Sequence, residues 1–565
     1  MTYPNGGDLL VQVLREAGVD TVFGVISVHN LPLVEAVAEH LRFVPVRHEA
    51  SAVNAADGYA RARGGLGCAL TSTGTGAGNA AGALIESLAT GSSVLHVTGQ
   101  VELAYLGSGR GFIHETQDQL GMLRAVSKQA YSICSTGNAG MILRQAVREA
   151  LAAPGGPISV EWPIDLQYAK HASQPEATTS TTAEQVPDEA DVLALVDLLH
   201  RAERPLIWAG GGVTRAGVEL QVLLEALGAG LITSNSGRGA VPEDHRLCIG
   251  NYGTSPVVQT LLDDSDLVLS LGTHFRSNET GDYTLRLPGS HVQVDLDPAA
   301  PGRVYPVRLG ITAEIRALLS AVLSRLETPA RPQGSWAERI EDTRRAVRSR
   351  QREALGEHAV FADALRAALP RSAVVARDVT IASSSWGNRL LEIYDPTDNV
   401  FPRGGGIGQG LGMGLGAAIG RPDGPTVVIA GDGGLAVHFG ELLTLAQERP
   451  HLVLMVFNDG GYGVLRNMQD GAGRRHAGVD LTTPQFETLA RSLDLPYRRI
   501  GDSSEVRSTL EKAVADGGPV VVEIDLGSYG EMPTPFTPPV RVPQPEPQTD
   551  NQSENQTDGE VRGND

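Results

Sequence analysis

The chain has 565 residues, of which 41% are hydrophobic and 20% charged, and its formal net charge is −20. This length exceeds what one hydrophobic core supports and predicts about three domains, while the acidic balance argues against a nucleic-acid partner. No apolar run is long enough to span a membrane, and the N-terminus lacks the pattern of a secretory signal. The three cysteines have no metal-ligand spacing and indicate a reducing, cytoplasmic location.

Residues 1–170 alternate short runs rich in β-branched residues with alanine-rich stretches of helical character. This alternation is typical of a parallel α/β domain, in which helices connect and cover the strands. Polar residues 171–187 follow and predict a linker. The predicted strands of this domain are Thr21–Val25, Phe43–Val46, Cys68–Thr71, Ser93–Thr98 and Pro157–Glu161.

Two further α/β units are predicted over 188–327 and 358–528, joined by a charged and exposed helical connection at 328–357. Residues 529–565 are predicted to form a disordered tail, because they are rich in Pro, Gln, Asn, Asp and Glu and hold few apolar residues to bury. The fold class is therefore α/β, with three parallel-sheet domains. The predicted strands are Pro205–Ala209, Leu267–Leu271 and His291–Asp295 in the second unit, and Ala373–Ala376, Thr426–Ala430 and Leu452–Phe457 in the third.

Two strand-end turns of the third unit carry the clearest chemical signal. Asp432 follows the strand Thr426–Ala430, and Asn458 follows Leu452–Phe457; a helical connection makes these strands parallel neighbours. Both residues are expected at the carboxyl edge of the sheet, where open α/β sheets bind ligands. One carboxylate, one amide oxygen and a backbone carbonyl suit a Mg²⁺ ion that also binds a phosphate. A single Gly-Asp-Gly-Gly turn on its own is more often an ordinary strand end.

The stretch Thr426–Tyr462 resembles the diphosphate-and-magnesium motif of thiamine diphosphate (ThDP) enzymes: a Gly-Asp-Gly turn, a matching interval, and an asparagine followed by glycines. By this resemblance Asp432, the Asn458 side chain and the Gly460 carbonyl are the metal ligands. The likeness extends over residues 5–528, with all three domains in the family's order. It implies a ThDP- and Mg²⁺-dependent enzyme that is a homodimer or a dimer of dimers with shared active sites.

Glu49 lies at the start of a predicted helix, directly after a strand, in the segment RHEASAVNAADGYAR. An acidic residue at a helix N-terminus is stabilised by the helix dipole without any further role. The segment also resembles the pyrimidine-domain motif of ThDP enzymes, where the glutamate hydrogen-bonds the aminopyrimidine ring and promotes loss of the thiazolium C2 proton. We expect a carboxyl group in that role to be buried.

Other segments resemble the family's cofactor contacts. Ser72–Gly82 resembles the wall beside the partner subunit's cofactor, and Asp378–Ser385 resembles a diphosphate-binding segment, with helix-capping serines as the alternative. Leu411, in the glycine-rich segment Phe401–Gly420, aligns with the apolar residue that bends the cofactor. The resemblance assigns to cofactor binding Glu49, Thr75, Asn79, Thr380, Ala382, Ser383, Gly410, Leu411, Met413, Gly431, Asp432, Gly433, Gly434, Asn458, Gly460, Tyr462, Gly463 and Val464.

Several residues bear on the reaction itself. His29 lies in the first strand-end turn, and Gln100 ends a later strand as a candidate substrate-facing donor; an ordinary loop role is equally consistent with each. His114 and Glu115 begin a segment that resembles one of acetolactate synthases, with Lys128 as its downstream lysine. The candidate catalytic residues are thus Glu49, His29, His114, Gln100 and Lys128.

The resemblance implies action on a small-molecule 2-oxo acid by decarboxylation and carboligation, as in acetolactate synthases. Non-oxidative decarboxylation of the benzoylformate decarboxylase type is the second reading, since no Trp follows Tyr462 where acetolactate synthases carry one. FAD is a further candidate cofactor, because the middle unit resembles their nucleotide-binding domain, although His274 replaces its usual arginine. A non-catalytic ThDP- or FAD-binding regulator is the alternative of a different class, against which Glu49 argues. A Rossmann dehydrogenase is disfavoured, because no GxGxxG opens a first helix.

Overall fold

The computed structural model describes residues 2–172, 187–326 and 335–533. It contains three six-stranded sheets, all parallel and flanked by helices. The predicted fold class, three parallel α/β domains, is confirmed. Within these ranges no helix is both long enough and apolar enough to cross a bilayer.

The first domain holds one six-stranded sheet and a short two-stranded one. Its strands are β1 (Thr2–Tyr3), β2 (Thr21–Gly24), β3 (Arg42–Pro45), β4 (Gly67–Thr71), β5 (Val94–Gln100), β6 (Gln129–Ser132), β7 (Ile158–Pro163) and β8 (His171–Ala172). Its helices are α1 (Gly6–Glu16), α2 (Leu31–His40), α3 (Glu49–Arg63), α4 (Thr75–Thr90), α5 (Gln119–Val126), α6 (Ala139–Leu151) and α7 (Ile164–Tyr168). The parallel sheet runs β3-β2-β4-β5-β7-β6, and β1 pairs antiparallel with β8.

The second domain has the strand order β11-β10-β9-β12-β13-β14, which is the order of dinucleotide-binding sheets. Its strands are β9 (Pro205–Ala209), β10 (Gly230–Thr233), β11 (Cys248–Gly250), β12 (Leu267–Leu271), β13 (His291–Asp295) and β14 (Leu309–Thr312). Its helices are α8 (Glu189–Arg201), α9 (Gly217–Leu227), α10 (Pro256–Asp264), α11 (Ser277–Thr280) and α12 (Ile315–Leu323), and α13 (Ser335–Leu355) follows.

The third domain repeats the topology of the first, with the order β16-β15-β17-β18-β20-β19. Its strands are β15 (Val374–Arg377), β16 (Asn399–Val400), β17 (Thr426–Gly431), β18 (Leu452–Asn458), β19 (Tyr497–Ile500) and β20 (Val520–Asp525). Its helices are α14 (Val360–Ala368), α15 (Gly410–Gly420), α16 (Asp432–Leu435), α17 (Glu441–Glu448), α18 (Gly463–Gly471), α19 (Phe486–Ser492), α20 (Val506–Ala515) and α21 (Leu526–Tyr529).

The predicted connections are more ordered than expected wherever the structure describes them. Residues 171–172 of the predicted linker form strand β8, while 173–186 lie outside the described residues. Helix α13 is not simply exposed: Ile340 and Val347 are buried in the core of the second domain. They recur on one face of an otherwise charged helix, so that face packs, and the half-buried Arg344 and Arg348 beside it bond to Glu392.

The first residues of the predicted tail, 529–533, are ordered. Tyr529 lies against His358 and Phe361, with ring centroids 4.8 and 5.4 Å away, and Met532 is buried in the core of the third domain. Although the segment as a whole is polar, the aromatic ring of Tyr529 and the thioether of Met532 supply apolar surface that packs on the domain. The rest of the tail, 534–565, lies outside the described residues.

Helices α3 and α15 join the first and third domains at very short range. A Cβ atom on Gly58 would lie 1.9 Å from the Met413 carbonyl oxygen, and one on Gly416 would lie 1.8 Å from that of Ala55. Only glycine permits helix backbones to approach this closely. The contact fixes the helix that begins with Glu49 relative to the helix that carries Leu411.

Candidate active site

The carboxyl ends of β17 and β18 bring Asp432 and Asn458 together, as predicted. The strands pair in parallel with Gly431 beside Phe457, so the next residue of each lies at the same sheet edge. Asp432 Oδ1 accepts a hydrogen bond from the Asp459 amide at 3.3 Å, whereas Oδ2 is buried and has no hydrogen-bond partner among the described residues. Burial, and secondly the charge of Asp459, raises the pKa of Asp432 to about 6. A buried carboxylate oxygen left free in this way suits a cation.

The neighbouring oxygens are consistent with the same cation. Asn458 Nδ2 donates to Glu523 Oε1 at 2.7 Å, which orients the amide, and Asn458 Oδ1 receives the Gly460 amide only at 3.3 Å. The Gly460 carbonyl accepts from Leu481 N at 2.9 Å, which leaves it one lone pair. The described residues hold no cluster of three His, Cys, Asp or Glu side chains around a metal position. A cation here would therefore complete these oxygens with ligands from a bound phosphate, as Mg²⁺ commonly does.

Glycines allow the segments at this edge to approach one another closely. A Cβ atom on Gly433 would lie 2.5 Å from the Gly461 carbonyl oxygen, and one on Gly431 would lie 3.3 Å from Thr380 Oγ1. Gly460 has φ +78°, a conformation that favours glycine. The residues predicted for the cofactor that lie in the segments converging on this edge are Thr380, Ala382, Ser383, Gly410, Leu411, Met413, Gly431, Asp432, Gly433, Gly434, Asn458, Gly460, Tyr462, Gly463 and Val464.

Asp378 is a candidate functional residue that the sequence analysis did not single out. It follows β15 and is almost completely buried, and its carboxylate accepts hydrogen bonds from the amides of Gly408 at 3.0 Å and Gly410 at 3.2 Å. Burial raises the pKa of Asp378 to about 6. The side chain fixes the glycine turn that leads into α15. Its position directly after a predicted strand was the available signal.

Glu49 stands at the N-terminus of α3, where Asn79 donates to its Oε2 at 3.0 Å. It is half-buried in the single chain, not buried as expected. Its carboxylate stays partly exposed because the residue that faces it on α4 is Gly76, which has no side chain to cover it. A Cβ atom on Gly76 would lie 2.9 Å from Glu49 Oε1.

His29 and His114 form a pair at the same edge of the first sheet. Their Nδ1 atoms are 3.3 Å apart and their rings are nearly perpendicular, with centroids 5.2 Å apart. Burial, and secondly His114, lowers the pKa of His29. His114 has φ +67°, and its carbonyl oxygen packs against Gly74. One ring must donate and the other accept, so the pair shares a single Nδ1 proton while both rings are neutral.

Gln100 does not face a substrate, which corrects the prediction. Its side chain is buried, with Nε2 donating to Glu161 Oε2 at 3.1 Å and Oε1 accepting from the Val101 amide at 2.8 Å. Gln119 Nε2 donates to the same Glu161 oxygen at 3.2 Å. These bonds turn the amide of Gln100 into the domain, where it positions its neighbours.

Lys128 is not brought to the site either. It precedes β6 and therefore lies at the amino end of the parallel sheet, opposite the edge that carries His29. Its ammonium group donates to the carbonyls of Glu149, Ala152 and Pro154 at 2.6–2.9 Å. A lysine in that position satisfies the free carbonyls at the end of α6.

The two groups of candidate residues lie on different domains of the chain. The Arg47 amide donates to Glu441 Oε1 at 3.0 Å, and the His48 ring lies edge-on to His438 with centroids 5.2 Å apart. In the described part of the chain no hydrogen bond links Glu49 to Asp432 or Asn458. The first domain thus touches the third beside the site without completing it.

The comparisons with known proteins agree with this geometry. Residues 4–122 match the N-terminal TPP binding domain of thiamine pyrophosphate (ThDP) enzymes, 192–322 match their central domain and 381–524 match their C-terminal TPP binding domain. The chain is 32% identical over 525 residues to the probable 2-ketoarginine decarboxylase AruI of Pseudomonas aeruginosa, covering 92% of this chain and 93% of that protein.

Acetolactate synthases are also similar to the chain. The isozyme 2 large subunit of Escherichia coli is 27% identical over 551 residues, covering 95% of this chain and 98% of that protein. A probable large subunit of Methanococcus aeolicus is 26% identical over 557 residues, covering 92% of each. The chain belongs to the thiamine pyrophosphate enzyme family. It is a ThDP-dependent enzyme resembling acetolactate synthase.

Proposed function

We propose that this enzyme decarboxylates a 2-oxo acid with ThDP held by Mg²⁺, without oxidation. The observation that carries the proposal is the free, buried Oδ2 of Asp432 beside Asn458, at a sheet edge lined by glycines. When bound, ThDP supplies a thiazolium carbon that adds to the ketone and accepts the electron pair released with CO₂. Asp432, Asn458 and the Gly460 carbonyl would bind Mg²⁺, and the metal ion would in turn bind the diphosphate of ThDP.

Glu49 would hold a proton at the pyrimidine nitrogen of the cofactor. Asn79 fixes the orientation of its carboxylate through the 3.0 Å hydrogen bond. His29 and His114 would then deliver the proton that replaces the carboxylate on the substrate. The hydrogen bond between their Nδ1 atoms would let one ring take up a proton as imidazolium and the other orient it towards the substrate.

Carboligation, which came first in the sequence analysis, becomes the second candidate. It is supported by the similarity to acetolactate synthases over nearly their whole length. The histidine pair instead favours protonation, and the relative with 32% identity is named as a decarboxylase. That name also makes a 2-oxo acid with a guanidinium side chain the first substrate to test.

We also propose that the enzyme is a homodimer, or a dimer of dimers, in the cytoplasm. Glu49 and the Asp432–Asn458 pair lie on different domains with no bond between them, so a second chain would complete each site. The three free cysteines support a reducing compartment.

The decisive experiment replaces Glu49 by Gln, which keeps the size and hydrogen-bonding capacity of the side chain but cannot donate a carboxyl proton. Hydrogen–deuterium exchange at C2 of bound ThDP should slow by on the order of 10²–10⁴-fold, the range of general acid–base catalysis. Glu39→Gln is the matched control, because Glu39 is exposed on α2. CO₂ and product analysis with a panel of 2-oxo acids identifies the reaction. Exchange at the wild-type rate in Glu49→Gln would reduce Glu49 to a helix-start carboxylate.

A further inference from the structure

The second domain contains a crevice of the type that binds dinucleotides. Its strand order reverses between β9 and β12, and ligands of such sheets lie above that switch point. The turns after these strands touch each other: a Cβ atom on Gly210 would lie 2.0 Å from the Gly272 carbonyl oxygen. FAD, the candidate cofactor from the sequence, would have to place its pyrophosphate here.

A side chain from the third domain already lies at this position. Arg403 belongs to the segment that runs from the end of β16 to the first residue of α15, residues 401–410, which we call the strap. A Cβ atom on Gly211 would lie 2.8 Å from Arg403 Nη2 and 3.3 Å from the Ser236 Cβ. The guanidinium therefore packs directly on the glycine turn. Burial, and secondly the positive charge of Arg276, lowers the pKa of Arg403 to about 10.

The first domain holds the strap in this position. Glu86 on α4 is 2% exposed, and its carboxylate accepts hydrogen bonds from the amides of Arg403 and Gly404, the latter at 2.7 Å. Arg403 Nη1 donates to the Thr90 carbonyl at 3.2 Å. Arg276, from the turn after β12, donates to the Arg403 carbonyl at 3.0 Å and so adds a tie from the second domain. Three domains thus meet at one arginine.

Arg403 Nε is buried without a hydrogen-bond partner among the described residues, but the groups around it are committed within the protein and do not form a pyrophosphate cradle. Arg276 uses both of its terminal nitrogens on carbonyl oxygens, those of Arg403 and Ala89. Glu279 lies among the same charges, and burial raises the pKa of its carboxyl group. A pyrophosphate would have to displace the Arg403 guanidinium and then lie close to the carboxylates of Glu86 and Glu279.

We infer that the crevice takes no flavin dinucleotide, because Arg403 fills it, and that the second domain instead anchors the strap leading into α15. FAD is therefore not a cofactor of this enzyme. The strap joins the crevice to the glycine turn that Asp378 fixes, so the ligand position of this sheet serves to hold helix α15.

The first test is a titration of the purified full-length protein with FAD, followed by flavin fluorescence anisotropy and by absorbance of the desalted protein. We expect no saturable binding up to about 100 µM, a concentration at which a cofactor with micromolar affinity is fully bound. Flavin that co-purifies, or that binds in a 1:1 ratio, overturns the inference.

The second test is hydrogen–deuterium exchange on Arg403→Ala without ThDP, so that its outcome does not depend on the proposed function. The amides of Gly210 and Gly212 donate to Leu271 O at 2.8 Å and Gly272 O at 3.2 Å, and they report on the crevice. Peptides over 205–216 and 401–410 should both exchange at least tenfold faster. The control, Arg316→Ala, removes an exposed arginine that pairs with Glu219 at 3.1 Å on the same domain, and should change neither peptide.

Gly211→Ala is a second route if Arg403→Ala does not fold. Its new methyl group would displace the guanidinium from the turn without removing it, so both peptides should again exchange faster. Unchanged exchange in Arg403→Ala, or in Gly211→Ala where that variant alone folds, would show that the guanidinium does not hold the crevice, and the inference would fail.

Discussion

Replacing Gly416 by Ala tests whether the contact between α3 and α15 sets the geometry of the active site. The added Cβ atom would lie 1.8 Å from the Ala55 carbonyl oxygen and 2.6 Å from its carbonyl carbon. Both obstacles are helix backbone, which no side-chain rotation can relieve. The two helices must therefore move apart by roughly 1 Å or more before an ordinary van der Waals contact is restored.

The magnitude follows from this displacement. Overpacking a core usually costs about 1–3 kcal/mol, and a backbone obstacle places Gly416→Ala at the upper end or above it, at ~3 kcal/mol. The same movement shifts the start of α3, with Glu49, relative to the start of α15, with Leu411. A misplacement of ~1 Å in a positioned catalytic group lowers turnover by on the order of 10²-fold.

Urea unfolding and CO₂ release should be measured on Gly416→Ala and on Gly82→Ala in parallel. Gly82 lies within α4, and a Cβ atom there would meet nothing within 4 Å. The control should therefore be more stable than the wild type by about 0.5–1 kcal/mol, with normal turnover. A Gly416→Ala enzyme with wild-type stability and turnover would refute the claim that backbone contact locks the two helices.

Three other predictions concern the metal, the pH dependence and the oligomer. Asp432→Ala and Asn458→Ala should each abolish Mg²⁺-dependent ThDP retention in calorimetry, whereas Asp423→Ala, at an exposed position, should not; wild-type affinity in either site variant contradicts the metal assignment. Burial lowers the pKa of His96 from 6.5 to about 4. Because the imidazole is protonated at a higher pH in the unfolded chain than in the folded one, the folded state loses stability as the pH falls from about 6.5 to about 4. Between pH 7 and 5 the wild type should lose ~2 kcal/mol more than His96→Gln in urea titrations, and equal losses would contradict a buried neutral imidazole. Mixing inactive Glu49→Gln and Asp432→Ala subunits should restore activity, since a mixed dimer would contain one intact site; no recovery despite proven subunit exchange would argue against shared sites.

Most strands that the sequence predicted are buried, but the match is partial: the half-exposed edge strand β3 was predicted, whereas the buried inner strands β10 and β20 were missed. Thr426–Ala430 and Leu452–Phe457 are continuous apolar runs, and they form adjacent parallel strands with the expected polar residues at their ends. The edge strands β6 and β19 were not predicted, because QAYS and YRRI alternate with polar residues on a half-exposed face. Local pattern therefore identifies long apolar runs bounded by turn residues, and it does not by itself tell inner strands from edge strands.

The sequence did not predict in which direction the candidate side chains point. Gln100 ends a strand at the expected edge, yet its amide turns inward because Glu161, on the neighbouring strand β7, needs donors. Lys128 follows the motif of His114 closely in sequence, but the intervening α5 carries the chain to the other end of the sheet. Both outcomes depend on contacts between residues distant in sequence, which a motif does not contain.

The order of the glycine-rich strap could not be predicted from its local sequence either. Its composition indicates a flexible loop, and each glycine lowers the local order of an isolated chain. In the structure its amides are held by carboxylates from outside the motif: Glu86 binds Gly404, and Asp378 binds Gly408 and Gly410. The glycines leave room for a ligand close to the backbone. The buried carboxylates of Glu86 and Asp378 restrict the backbone motion that these glycines would otherwise allow. Rigidity at the start of α15 is a property of these distant pairs, and it places Leu411 before any cofactor arrives.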